Sequence, residues 1–119
     1  MILKTIRSFR FAFNGICQVF KNENNAKVHA LATVMAVVAG VFLRISVNEW
    51  LWIALAIALV WAAELLNTAL EKLTDLVSPE HHPAAGAVKD LAAGAVLVCA
   101  VFAFVTGLVI FIPKVCLLF

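Results

Sequence analysis

Residues 63–75 read Ala63-Glu64-Leu65-Leu66-Asn67-Thr68-Ala69-Leu70-Glu71-Lys72-Leu73-Thr74-Asp75, and Glu64 comes directly after fourteen uncharged residues, Trp50 to Ala63. The uncharged run has the composition of a membrane span, so Glu64 stands where a span ends. Glu64, Asn67, Glu71 and Asp75 fall at i, i+3, i+7 and i+11, which on a helix brings them within about 80° of one another. A carboxylate at the end of a span is costly and marks a functional site by default. A row of carboxylates crossing from lipid into water suits a hard cation and the oxygens of a phosphate.

The rest of the chain supports a membrane setting. Of its 119 residues 65% are hydrophobic and 13% charged, with a mean hydropathy of +1.06. Soluble domains are about 25% charged. So much apolar surface cannot be buried inside a chain of this size, and lipid must serve as solvent for it. We expect one membrane domain over residues 1–119. The charge distribution is informative. Lys4, Arg7, Arg10, Lys21 and Lys27 precede the first apolar run, and Lys72 and Lys89 lie between the second and third. Only Arg44 and Lys114 fall on the other side. This bias places the N-terminus and the loop after the second span in the cytoplasm. The basic N-terminal segment can also hold anionic headgroups. No nucleic-acid motif is present. Cys17, Cys99 and Cys116 form no C-x-x-C pair and read as small hydrophobes.

In residues 2–21, Ile2, Ile6, Phe9, Phe13, Ile16 and Phe20 recur at spacings of three and four, with most basic groups elsewhere. This predicts an amphipathic helix lying in the interface. Asn22-Glu23-Asn24-Asn25 breaks the pattern as a turn or cap. Spans are expected at about 28–45, 50–70 and 88–112. Ser46-Val47-Asn48-Glu49 reads as a turn on the far side, Ser78 to Pro83 as a loop, and Pro113 as the end of the third span. The retained first span, far from a short basic leader, is not a signal peptide. The fold class is therefore all-α and integral to the membrane, with a surface helix and three transmembrane helices. Three spans make a thin bundle. The polar face of Glu64 and Asn67 has little to pack against in a monomer, so an oligomer is expected.

Chemically, Glu64 has three readings: a charge marking the span end, a base that takes a proton from an alcohol, or the proton site of a small coupled transporter. Glu71 and Asp75 are solvated helix charges unless a cation gathers them. Lys89 can meet a phosphate. Asp90 can orient it or cap a helix, and Glu23 faces the same layer from the first helix. His81 and His82 lack further ligands at metal spacing, and His29 reads as an interfacial residue. No Gly-rich phosphate loop is present.

Two motifs narrow these readings. Glu64 to Asp75 resembles the signature E-x-x-N-[ST]-A-[IL]-E-x-x-x-D of the small prokaryotic diacylglycerol kinase family, and Ala87 to Leu97 resembles its second signature, A-x-K-D-x-x-[AS]-[AG]-A-V-L. With the chain length and spans, the resemblance covers nearly the whole chain. It implies a lipid kinase dependent on ATP and Mg2+, working as a homotrimer with shared active sites at the cytoplasmic face of the bacterial inner membrane. By the same resemblance, Glu64 is the general base for the lipid hydroxyl, and Glu71 and Glu23 are magnesium carboxylates. Asn67, Asp75, Lys89 and Asp90 organise the nucleotide. One branch of the family phosphorylates diacylglycerol and the other undecaprenol. Residues 23–29, with Glu23, Asn25, Lys27 and His29, resemble the E-x-N-x-K-x-H form of the undecaprenol branch.

Overall fold

The computed structural model describes residues 1–22 and 24–119. Glu23, assigned to magnesium above, lies outside the described residues. The described residues form four helices: α1 (Ile2–Asn22), α2 (Asn24–Phe42), α3 (Val47–Val77) and α4 (Pro83–Leu118). Among the described residues there is no strand. Helices α2, α3 and α4 are each long and apolar enough to cross a membrane. The all-α reading, a surface helix followed by three spans, is the architecture observed.

In α1 the apolar positions Ile2, Ile6, Phe9, Phe13 and Ile16 are exposed in the single chain. An apolar stripe on a basic helix that no protein covers is the pattern of a helix lying in the headgroup layer. Its C-terminal end is anchored. Val19 is buried, and the Phe20 ring stacks on Trp61 of α3 with centroids 4.9 Å apart.

The α2–α3 connection is built by local hydrogen bonds. Ile45 N–H donates to the Gly40 carbonyl (3.2 Å) and Arg44 N–H to that of Val41 (3.4 Å). This is a Schellman closure, with Arg44 taking the left-handed conformation at φ 52°. Ser46 then caps α3. Glu49 N–H donates to Ser46 Oγ (3.2 Å), and Ser46 N–H donates to Glu49 Oε1 (2.9 Å). The S-x-x-E spacing is a capping box, so Val47–Glu49 is the first turn of α3 and not the turn expected from sequence. The first span likewise stops at Phe42, short of residue 45.

Helix α4 begins earlier and ends later than expected. Pro83 occupies its first turn, where a missing N–H costs nothing, and His82 Nδ1 accepts from Ala84 N–H (3.0 Å) as the cap. Lys89 and Asp90 are therefore inside α4, and Asp90 is not a cap. Pro113 does not end the helix, which runs on to Leu118. Proline removes one hydrogen bond, but it leaves the next turn free to continue. From that turn Lys114 Nζ reaches Glu49 Oε1 at 3.1 Å and ties α4 to the start of α3.

Helix α3 packs most extensively against α4. Ile45, Ile53 and Ile110 form the buried apolar cluster, with Trp50 and Phe111 against it. Close approach of α2 requires Gly40. A Cβ there would lie 2.6 Å from Trp50 Cη2 and 3.1 Å from Ile45 Cδ1. Gly40→Ala is expected to destabilise the bundle by about 1–3 kcal/mol through overpacking, measurable as a lower unfolding midpoint in detergent micelles.

Candidate functional site

From the Ser46 cap to Glu64, α3 climbs about 27 Å at 1.5 Å per residue, most of a hydrocarbon core about 30 Å thick. Glu71 stands about 10 Å further out. Glu64, Asn67, Glu71 and Asp75 all lie on this one unbroken helix.

Glu64 is 1% exposed, and Asn67 and Thr68 are buried with it. This corrects the expectation that the polar face lacks cover within one chain. The chain itself covers it, because the end of α1 and the start of α2 fold over this part of α3. Val19 and Ala26 are buried there, and α3 packs against α1, α2 and α4. The burial of Glu64 therefore gives no argument for an oligomer.

The neighbour of Glu64 that the sequence reading discounted is His29 of α2, whose Nε2 lies 3.5 Å from Glu64 Oε2. A relay of two hydrogen bonds reaches its backbone from α3. The Thr33 hydroxyl donates to the His29 carbonyl (2.7 Å), and Trp61 Nε1 of α3 donates to Thr33 Oγ1 (3.1 Å). His29 and Thr33 also line an apolar groove of about 270 Å³ between α2, α3 and α4, floored by small residues that include Ala56, Ala103 and Gly107. The only sequence signal for His29 was its place in the E-x-N-x-K-x-H stretch. Its pairing with Glu64 joins residues on two helices, which no local spacing encodes.

Moving outward, Asn67 Nδ2 donates to Glu71 Oε1 (3.3 Å). Asn67 Oδ1 and Thr68 Oγ1 are buried with no hydrogen-bond partner among the described residues. Next, Lys89 Nζ of α4 donates to Asp75 Oδ1 (2.6 Å), and this pair is open to solvent, with side-chain exposures of 41% and 65%. Asp90 is exposed and makes no ion pair among the described residues; it points about 100° around α4 from Lys89. Lys72 Nζ donates to Gln18 Oε1 of α1 (3.1 Å), a second tie between α1 and α3. The structure thus joins Glu64 with His29, Asn67 with Glu71, and Asp75 with Lys89, in three tiers along α3. Asp90 is not drawn into them.

Comparison with known proteins gives the family. The family model for prokaryotic diacylglycerol kinase matches residues 10–111. The chain is 44% identical over 108 residues to the undecaprenol kinase of Bacillus subtilis, covering 91% of this chain and 88% of that one. It is 37% identical over 107 residues to the diacylglycerol kinase of Synechocystis, covering 89% of this chain but only 61% of that longer protein. It is 26% identical over 103 residues to the diacylglycerol kinase of Escherichia coli K12, covering 87% of this chain and 84% of that one. With a buried carboxylate at the end of a span and a family match over most of its length, the chain belongs to the prokaryotic diacylglycerol kinase family.

Proposed function

We propose that this membrane lipid kinase transfers the γ-phosphate of ATP to the hydroxyl of undecaprenol, with Glu64 as the base, at the cytoplasmic face of the bacterial inner membrane. One observation carries the reading. Glu64 is buried, and the same helix continues past it with the Asn67–Glu71 and Asp75–Lys89 pairs. A lipid hydroxyl reaches the edge of the hydrocarbon, whereas the nucleotide comes from water. A helix that carries a base at the first level and phosphate-handling groups at the next brings the two together. Phosphoryl transfer depends mainly on positioning and charge stabilisation, so a small site suffices.

The residues suit magnesium carried in on the nucleotide. Among the described residues no three His, Cys, Asp or Glu side chains cluster as a dedicated cage. Magnesium normally keeps phosphate and water oxygens and takes only one or two carboxylates from the protein. Glu71 offers such a carboxylate, and the buried Asn67 Oδ1 beside it is an oxygen still lacking a partner among the described residues. Glu71, with Glu23, would hold the ion. When bound, it would neutralise charge on the β- and γ-phosphates. Lys89, oriented by Asp75, would meet a phosphate oxygen as a point charge. The reading includes a homotrimer in which neighbouring chains share sites, as the family resemblance implies.

Undecaprenol is favoured by the E-x-N-x-K-x-H form of residues 23–29 and by the 44% identity to a protein named undecaprenol kinase. The test is competition. With undecaprenol and diacylglycerol in equal amounts in the same mixed micelles, labelled phosphate is expected mainly in undecaprenyl phosphate. A product dominated by phosphatidic acid would assign the chain to the diacylglycerol branch.

A further inference from the structure

A base buried as deeply as Glu64 must lose its proton before each new turnover. Glu64 is 1% exposed, whereas His29, whose Nε2 is 3.5 Å away on the second turn of α2, is 18% exposed. Imidazole is the side chain suited to exchange protons near neutral pH. The Thr33 and Trp61 hydrogen bonds fix the backbone from which His29 reaches Glu64. His29 also lines the groove between α2, α3 and α4, so it borders both the carboxylate and an open space. Among the described residues, several charged side chains of the surrounding helices are paired with one another or exposed. Lys72 of α3 binds Gln18, Lys89 of α4 binds Asp75, and Glu71 accepts from Asn67. Lys21 of α1, Lys27 of α2 and Asp90 of α4 are exposed.

We propose, on the basis of the lipid-kinase reading above, that His29 is the positioning residue of the base: it orients the Glu64 carboxylate and carries the proton from it to water. The balance is simple. As the lipid oxygen forms its bond to the γ-phosphorus, the bond from that phosphorus to the bridging oxygen of ADP breaks. The lipid O–H bond also breaks, its electron pair stays on oxygen, and the proton passes to Glu64. The protonated carboxyl then gives that proton to Nε2 of neutral His29, and the resulting imidazolium releases a proton to water. Glu64 returns to its carboxylate form with no other reactant consumed.

The test uses the full chain in mixed micelles with ATP, magnesium and each lipid alcohol in turn. His29→Gln keeps a polar group near the Nε2 position but cannot carry a proton. It is expected to leave the lipid KM within about 2-fold and to lower kcat roughly 10- to 100-fold, within the usual range for acid–base groups. His29→Ala is expected to be slow and to recover with added imidazole, with rates that follow the basicity of substituted imidazoles. Helical circular dichroism and size-exclusion profiles matching wild type would exclude misfolding; if His29→Ala misfolds, His29→Gln decides. Wild-type kcat in His29→Gln, or a folded His29→Ala that no imidazole restores, would overturn the proposal. An inactive wild type on both lipids would instead remove the kinase reading beneath it, which is distinguishable from slow variants beside an active wild type.

Discussion

Glu64→Gln is expected to lower turnover by at least about 10²-fold, within the range for loss of a general base, while the helices remain folded. The carboxamide has nearly the same shape, so the covering contacts of α1, α2 and α4 are retained. What is lost is the ability to accept the hydroxyl proton and the charge facing His29 Nε2. A surface carboxylate would not behave this way, because solvent would replace it. Glu64, at 1% exposure, has no such substitute. Since the lipid and nucleotide are bound by other groups, the loss should fall on kcat with both KM values nearly unchanged. Rates measured beside circular dichroism of the same micelles would check this. Wild-type kcat in the variant would remove Glu64 from the chemistry.

Glu71→Gln is expected to cost on the order of 10²-fold in kcat/KM for magnesium–ATP, a typical effect of removing one group that stabilises transferring phosphate. Part of the loss should return at high magnesium. The reasoning is local. Glu71 Oε1 accepts from Asn67 Nδ2, and among the described residues no side-chain hydrogen bond to its other oxygen is seen. Glutamine can still accept from Asn67 Nδ2 but offers a neutral oxygen to a divalent cation that prefers carboxylate. The lipid KM should not move, because Glu71 lies about two turns beyond Glu64. A magnesium titration at saturating lipid separates these effects, and an unchanged magnesium dependence would remove Glu71 from the metal site.

Much of the fold is legible in local sequence because lipid simplifies the rules. Uncharged runs long enough to cross a membrane must be helices, since every backbone group has to be satisfied inside the segment. The 3–4 spacing of Ile2, Ile6, Phe9 and Phe13 marks α1 through its amphipathic period. Helix ends were less legible. Ser46 and Glu49 read equally as polar turn residues or as a capping box, and only the backbone geometry decides between them. Pro113 signals a stop in most contexts, but here the helix runs on and Lys114 pairs with Glu49, 65 positions earlier in the chain. The acidic face of α3 was visible because its residues share one helix. The burial of Glu64 and its pairing with His29 were not, because they depend on how α1 and α2 cross α3. Such crossings are set by small residues such as Ala26 and Gly40, whose role appears only once the helices are placed.

The most direct test of the account is the fate of the γ-phosphate. The full chain is incubated in mixed micelles with undecaprenol, magnesium and ATP labelled at the γ position, and ADP and chloroform-extractable lipid monophosphate are measured together. Equal amounts of the two are expected, with both lowered at least about 10²-fold in Glu64→Gln. ADP without lipid phosphate, or lipid phosphate formed as fast by Glu64→Gln as by wild type, would contradict transfer to a lipid hydroxyl by this buried carboxylate.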